Sequence, residues 1–328
     1  MKSLNIAIIE PGYANYETER TVLSGLNVNV IPVSTDCNLV DQLTAIDPVI
    51  VLLRERQFKG PQIDACANLR GIVRYGVGVD NVDIDYAKSK QIYVANVPDY
   101  GAEIEVSEHA LALYLAVQRR LISRDSQVRD RLWGVGQDAI IPSREDSVLG
   151  LVGCGKIGLQ TASKFRALGF KTILAFDPYL SNQDARQNNI QKVNLNELCA
   201  QADVVSLHAP LTPETHHIIG QEMFDLMQQS TILINVSRGG LVDEGALANA
   251  LTRGQLFGAG IDVFESEPVS SDNPLLTSPN TILTDHTAWY SERSVRVLQR
   301  KAAEAAYQIL TNKEPANWVN PWQTHPKQ

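Results

Sequence analysis

Cysteine is scarce in this chain: four are scattered, at Cys37, Cys66, Cys154 and Cys199. No pair has the spacing of metal ligands or of a redox motif, so neither a metal site nor a disulfide framework is expected, and a reducing cytoplasm fits. Long apolar runs are missing too. None is long enough to span a bilayer, and Glu10 and Pro11 interrupt the apolar start too early for a secretory signal. Basic residues are outnumbered, 29 against 37 acidic, for a net charge of −8. That argues against nucleic acid or an anionic membrane as the main partner. A small anionic substrate responds to local charge and is not excluded. Short-period repeats, low-complexity tracts and long linkers are also lacking.

What is there centres on Ser147–Tyr179, SVLGLVGCGKIGLQTASKFRALGFKTILAFDPY. An apolar run, Val148–Val152, suits a buried strand. Gly153, Gly155 and Gly158 follow at G-x-G-x-x-G spacing, then a helical pattern that Gly169 is placed to stop. A second apolar run, Thr172–Phe176, ends in Asp177. Gly153 permits the tight turn, Gly155 lets a pyrophosphate approach bare backbone, and Gly158 lets helix and strand pack closely. The helix start, at Lys156 and Ile157, offers N–H groups and partial positive charge to phosphates. Asp177, followed by Pro178, can accept from both ribose hydroxyls and repel a 2′-phosphate, which favours NAD over NADP. Because strand, helix, second strand and acid all accompany the glycines, dinucleotide binding is the expectation. A ligand-free strand–helix turn is the bland reading, and a methyl-donor site a rival one.

With 328 residues the chain is long for one core, and two domains are expected. The first third alternates apolar runs (Asn5–Ile9, Val28–Val33, Val49–Leu53, Gly71–Val73, Ile92–Val94) with amphipathic segments such as Glu17–Ser24 and Leu39–Ala45. After Ser147 the alternation resumes, with strands expected at Val204–Leu207, Thr231–Val236, Gly258–Val263 and Ile282–Leu283. Strands alternating with helices imply parallel sheets covered on both faces. The expected fold class is therefore α/β, two doubly wound parallel-sheet units. Asn96–Tyr100 reads as a crossover between them. A long helix is expected over Glu105–Leu121, and then an arginine-rich arm, Arg119–Trp133. A final helix, about Ser291–Thr311, should return to the first domain.

Reducing a ketone by hydride needs a cation on the substrate carboxylate and a proton for the carbonyl oxygen. Arg238 follows one strand and precedes two glycines; a guanidinium there can grip a carboxylate with two parallel bonds. His286 follows another strand and is the natural acid–base at neutral pH. Glu267, in a loop after a third, would favour the protonated ring and hold it. Taken singly, each also reads as an ordinary surface arginine, loop glutamate or strand-end histidine. Arg74-Tyr75-Gly76-Val77-Gly78 exposes backbone N–H groups after an apolar strand, and Arg54 ends another.

The motifs RYGVGVDNVDID, NVPDY, GLVGCGKIG, FDPY, HAPLTPET, NVSRGGLVDEGAL, GAGIDVFESEP and DHTAWYSE occur in that order. The chain resembles the D-isomer-specific 2-hydroxyacid dehydrogenases, and within them the branch containing the C-terminal binding proteins, through ESEP and HTAWYSE. That resemblance implies a Rossmann cofactor domain, 100–287, inserted in a split flavodoxin-like substrate domain, 1–99 and 288–328. It makes Arg238 the substrate-binding arginine, Glu267 the partner of the catalytic histidine, and His286 that histidine. Asp262 becomes the acid at the nicotinamide end. His208, Ala209, Pro210 and Thr215 line the cofactor cleft, as do Val236 and Ser237. Gly76, Val77 and Gly78 receive the substrate carboxylate, Val77 also facing the cofactor. Arg54, Arg74, Tyr100 and Trp289 are candidates for the substrate's tail. Trp289 suits a bulky or apolar tail and the arginines a second negative charge, so the tail stays open. Asp285 departs from the family's usual proline. The resemblance also implies a homodimer through the cofactor domain, with the Glu105–Trp133 arm suited to the contact.

The expected function is NAD-dependent interconversion of a 2-keto acid and a D-2-hydroxy acid. The alternative is an NAD(H)-binding, corepressor-like interaction protein with little turnover. Methyl transfer gives Arg238, Glu267 and His286 no evident use.

Overall fold

The computed structural model describes residues 3–9, 12–34, 38–134 and 141–322; Cys37 lies outside them. Two compact units emerge. One takes the chain up to Gly101 and again from Ser291, and the other is Ala102–Tyr290.

The first unit holds β1 (Leu4–Ile9), β2 (Val28–Pro32), β3 (Ile50–Leu53), β4 (Gly71–Arg74) and β5 (Tyr93–Ala95). All pair in parallel, in the order β2-β1-β3-β4-β5. This is the flavodoxin-like order, with its switch point between β1 and β3. Every residue of β3 and β4 is buried, which is why they read as unbroken apolar runs rather than alternating ones. The helix Glu292–Leu310 starts with a reciprocal cap: Ser291 Oγ accepts from the Ser294 N–H at 3.0 Å, and Ser294 Oγ accepts from the Ser291 N–H at 2.8 Å. It packs on β4 so closely that a methyl group on Gly71 would lie 2.6 Å from Ile309 Cδ1. The chain then bridges Ala95 through Trp318, antiparallel. Trp318 and Trp322 pack on Tyr93, with centroids 5.1 and 4.6 Å away, and cover the β5 edge.

The second unit holds β6 (Val148–Val152), β7 (Thr172–Phe176), β8 (Gln191–Lys192), β9 (Val204–Leu207), β10 (Ile232–Asn235), β11 (Gly258–Ile261) and β12 (Thr281–Leu283). Again all are parallel, in the order β12-β11-β10-β9-β6-β7-β8. That is the doubly wound dinucleotide order extended by one strand, with its switch point between β6 and β9. The helix Ala102–Gln118 lies against β11, where methyl groups on Gly258 and Gly260 would meet Val117 and Leu113 at 2.7 Å. Tyr114, Phe165 and Phe170, all fully buried, join that helix to Lys156–Ala167 with centroids 5.0–5.6 Å apart.

Two local features differ from expectation. β8 is only two exposed residues and carries no apolar signal. The helix expected over Glu105–Leu121 runs instead from Ala102 to Gln118. It breaks at Arg120, which takes left-handed φ and ψ of 52° and 40°, and a separate helix, Leu121–Arg129, follows with no buried residue. Arginine suits a helix interior as well as a last turn, so the two arginines do not by themselves mark the break.

In the first unit Glu19 is fully buried. It accepts from the Tyr75 hydroxyl at 2.7 Å and from Gln299 Nε2 at 3.1 Å. Burial pushes its carboxyl above the ordinary 4.5, against the pull of those two donors. A raised acid binds its proton more tightly in the native state, so its contribution is full below the unfolded-state value and is lost as pH rises through the native one. Urea unfolding of wild type and Glu19→Gln between about pH 4 and 8 should therefore show the variant gaining on wild type as pH rises. A pH-independent difference would contradict a carboxyl whose pKa burial raises.

Candidate active site

The chemistry-bearing residues of the second unit gather where its parallel strands end, the edge at which open α/β sheets bind ligands. At the switch point Gly153 follows β6 with φ 90°. A methyl group on it would lie 2.6 Å from the Ala209 nitrogen, at the end of neighbouring β9. A methyl group on Gly158 would lie 2.6 Å from the Gly153 oxygen, so helix and turn touch backbone to backbone. Gly155 differs: a methyl there meets nothing within 4 Å. It precedes the helix Lys156–Ala167, whose first turn has no acidic residue. Bare backbone donors at a helix start facing open space suit a pyrophosphate. Asp177, ending β7, accepts from the Cys154 N–H and from the Tyr179 N–H, each at 2.8 Å. Its carboxylate is thereby fixed beside the glycine turn. These residues fit a dinucleotide.

His208 follows β9, with Nε2 2.9 Å from Ser206 Oγ. The residue keeps some exposed surface, but Nδ1 has none, and no hydrogen-bond partner among the described residues. Burial pushes its pKa from 6.5 down to about 3, so the ring is neutral at physiological pH. Thr215 donates to the Pro210 carbonyl at 2.7 Å and accepts from the Thr212 N–H at 2.8 Å, which shapes that loop. Ser237 Oγ donates to the Ala209 carbonyl at 2.5 Å, and Val236 is buried behind it.

Arg238, Asp262 and His286 follow β10, β11 and β12, three adjacent strands. Asn235 shapes the arginine loop: its Nδ2 donates to the Arg238 carbonyl at 2.9 Å, and its Oδ1 accepts from the Ser237 N–H at 3.1 Å. Gly239 packs so tightly that a methyl group on it would lie 1.9 Å from the Phe264 carbonyl carbon. Glu267 Oε1 accepts from the Phe264 N–H at 3.0 Å, and Oε2 lies 2.7 Å from His286 Nδ1. A carboxylate there makes Nδ1–H the donor, which leaves Nε2 to exchange a proton. His286 has φ 55°. A left-handed non-glycine residue costs about 1–3 kcal/mol and persists only where its surroundings hold it. Here its N–H donates to the Asp262 carbonyl at 2.8 Å, and its own carbonyl accepts from Trp289 Nε1 at 2.9 Å. Asp262, with no exposed surface, accepts from the Thr287 and Ala288 N–H groups at 3.0 Å each. Asp285 is exposed, and its carboxylate accepts from the Thr287 hydroxyl at 3.1 Å.

In the first unit the Gly76–Gly78 loop follows β4. Gly76 has φ 138°, and a methyl there would overlap Arg74 Nη1 at 1.5 Å. The loop's carbonyls are tied back: Gly76 accepts from the Val97 N–H at 2.8 Å and Val77 from Asn96 Nδ2 at 2.6 Å. The N–H groups of Val77 and Gly78 have no acceptor among the described residues. Arg74, 4% exposed, turns inward to an ion pair with Glu55 and lies under Gly76. It supports the loop and offers no surface charge. The Arg54 guanidinium sits 5.8 Å from the centroid of the Tyr13 ring, and Tyr100 is buried. Tyr13, Glu55 and Asn235 carried no signal beyond lying near strand ends.

Burial pushes the thiols of Cys66, Cys154 and Cys199 up to about 12, 11 and 12, away from nucleophilic character. Among the described residues no group of three or more histidine, cysteine or acidic side chains is placed to hold a metal. No helix among them is long and apolar enough to cross a membrane.

Residues 111–288 match the model of the D-isomer specific 2-hydroxyacid dehydrogenase family, NAD binding domain. A D-3-phosphoglycerate dehydrogenase of Methanocaldococcus jannaschii is 38% identical over 259 residues, 79% of this chain but 49% of that protein. The chain thus spans about half the length of that relative. A glyoxylate reductase of Korarchaeum cryptofilum is 34% identical over 285 residues, 86% of this chain and 85% of that one. Among solved structures, a D-lactate dehydrogenase from Aquifex aeolicus complexed with NAD and lactic acid superposes with a TM-score of 0.86 at 26% identity, covering 97% of this chain and 99% of that one. With the glycine turn, the acid at the end of β7 and the two parallel sheets, these matches establish that the chain belongs to the D-isomer-specific 2-hydroxyacid dehydrogenase family.

Proposed function

We propose that this chain interconverts a 2-keto acid and a D-2-hydroxy acid with NAD, as a cytoplasmic enzyme. The observation that carries the reading is the 2.7 Å contact between Glu267 and His286 at the same sheet edge as the dinucleotide turn. NAD(H), held at Gly153–Gly158 with Asp177 toward the ribose, supplies or accepts the hydride when bound. Arg238 grips the substrate carboxylate with two parallel donors; in the first unit the N–H groups of Val77 and Gly78, which have no acceptor among the described residues, also suit an anion. In reduction His286 gives the Nε2 proton to the ketone oxygen, and in oxidation it takes that proton back. Glu267 holds the ring in place and stabilises the imidazolium. Trp289, tied to the His286 carbonyl, is placed to select the tail, and Arg54 and Tyr100 stay candidates for it. The narrower likeness to the C-terminal binding protein branch rests on Glu265–Pro268 and Trp289. A corepressor-like protein would bind NADH with little turnover.

Purified protein with NADH and glyoxylate or pyruvate, or with NAD and 3-phosphoglycerate, should turn over at least one of them. His286→Ala should lower kcat by about 10²–10⁴ while NADH fluorescence still reports binding. A fully active variant would remove His286 from its role, and wild type that binds NADH without turnover would favour the interaction protein.

His208 makes a separate, pH-linked prediction. Its native value near 3 lies below the ordinary 6.5, so the unfolded chain takes up a proton that the folded one refuses. Its contribution is present above 6.5 and is lost as pH falls toward 3. His208→Gln should flatten the acid side of the stability profile measured by urea unfolding; an unchanged profile would mean that the native ring titrates normally.

We also propose a homodimer through the arm after Gln118. Leu121, Ile122, Val128 and Leu132 are exposed there, and Trp133 is 92% exposed, an apolar surface of the kind that marks protein contacts. Light scattering should give twice the chain mass, and Ile122→Glu with Leu132→Glu should halve it. A monomeric wild type would sink the proposal.

A further inference from the structure

We infer that His109 and Thr284 are positioning residues for the turn that carries His286, acting through Asp262; the inference rests on the functional reading above. Thr284 Oγ1 lies 2.5 Å from Asp262 Oδ1, and His109 Nε2 lies 3.0 Å from Thr284 Oγ1 and 3.5 Å from Asp262 Oδ1. A hydroxyl has one proton. Thr284 gives it to the carboxylate, so the contact from His109 must be made by an Nε2–H donating to the hydroxyl oxygen. The tautomer follows from the geometry. A chain of donors results: His109 Nε2–H to Thr284, Thr284 O–H to Asp262 Oδ1.

The carboxylate passes that order on. Asp262 Oδ1 also accepts from the Thr287 N–H and Oδ2 from the Ala288 N–H, each at 3.0 Å, and the Asp262 carbonyl accepts from the His286 N–H at 2.8 Å. Residues 284, 286, 287 and 288 thus all attach to one side chain and its backbone. The charge on Asp262 has no lysine or arginine partner within 4.0 Å among the described residues, so neutral donors and His109 must satisfy it. His109 sits on the helix Ala102–Gln118, with its side chain 25% exposed. That helix therefore helps to set where the His286 ring stands, and His286 keeps its left-handed backbone because both flanks are tied.

The test uses Thr284→Val, which keeps the shape and removes the hydroxyl, with Thr284→Ser as rescue, and His109→Leu with His109→Gln as the second pair. Thr284→Val and His109→Leu should lower kcat about 10- to 100-fold, since small misplacement of an acid–base costs that much. NADH affinity should hold, the unfolding midpoint should fall only modestly because the Thr287 and Ala288 N–H groups still hold Asp262, and Ser and Gln should restore most of the loss in kcat. In the proton–nitrogen spectrum of histidine-labelled protein, wild type should show a protected His109 Nε2–H, and Thr284→Val should lose it and shift the His286 ring signals. Wild-type kcat in both removal variants, or unmoved His286 signals in Thr284→Val, would overturn the relay. Should wild type turn over no keto acid, the functional reading fails by itself, and the histidine spectrum still decides the relay.

Discussion

Backbone presses on backbone at the carboxyl edge of the seven-stranded sheet, and the rest of the site follows from that. Gly153 meets the chain at His208 and Ala209, and Gly239 meets it at Phe264 and Glu265, with no room for a methyl group at either point. Two loops that cannot move apart thus bind the ends of β6 and β9, and two more bind the ends of β10 and β11. Arg238 and Glu267 belong to the second pair. Side chains set on loops this close inherit the rigidity of the sheet, which catalytic geometry demands. A larger residue at either glycine would have to force the loops apart.

Buried charge is handled in three ways. Arg74 is neutralised directly by Glu55. Asp262 has no such cation among the described residues and is surrounded by hydroxyl and N–H donors. Glu19 has no ion pair among the described residues; the Tyr75 and Gln299 donors hold it, and burial raises its pKa. The first arrangement supports a loop and the third joins elements of one unit. The second lies beside His286. The same side-chain chemistry therefore does different work according to whether its partners are charged, polar or absent.

Much of this was readable from residues alone, for identifiable reasons. Buried parallel strands such as β3 and β10 are uniformly apolar, so they stand out from their flanks. The glycine turn and Asp177 keep a fixed spacing because they share one βαβ unit. Glu267 and His286 are candidates because they lie in strand-end loops, and the resemblance to the dehydrogenase family, through ESEP and HTAWYSE, is what gives them their roles. What escaped the sequence is long-range or inward. His109 and Thr284 are 175 positions apart, and no spacing rule joins them. Arg74 looks like a surface cation until Glu55 and Gly76 are seen around it. The break at Arg120 depends on a single left-handed residue, and β8 exists because its neighbour supplies hydrogen bonds rather than because its residues favour a strand.

The first unit is discontinuous: its last helix, which packs on Gly71 and supplies Gln299 to Glu19, comes after the whole of Ala102–Tyr290. During synthesis at ~5–20 residues per second, β1–β5 must wait on the order of ten seconds or more for the helix that completes them. Meanwhile the second unit, unbroken in sequence, has all it needs to form. The ribosome thus delivers the cofactor-binding unit finished and its neighbour half made, and in that interval the uncovered face of β4 and the bare edge of β5 are the surfaces a chaperone would have to shield.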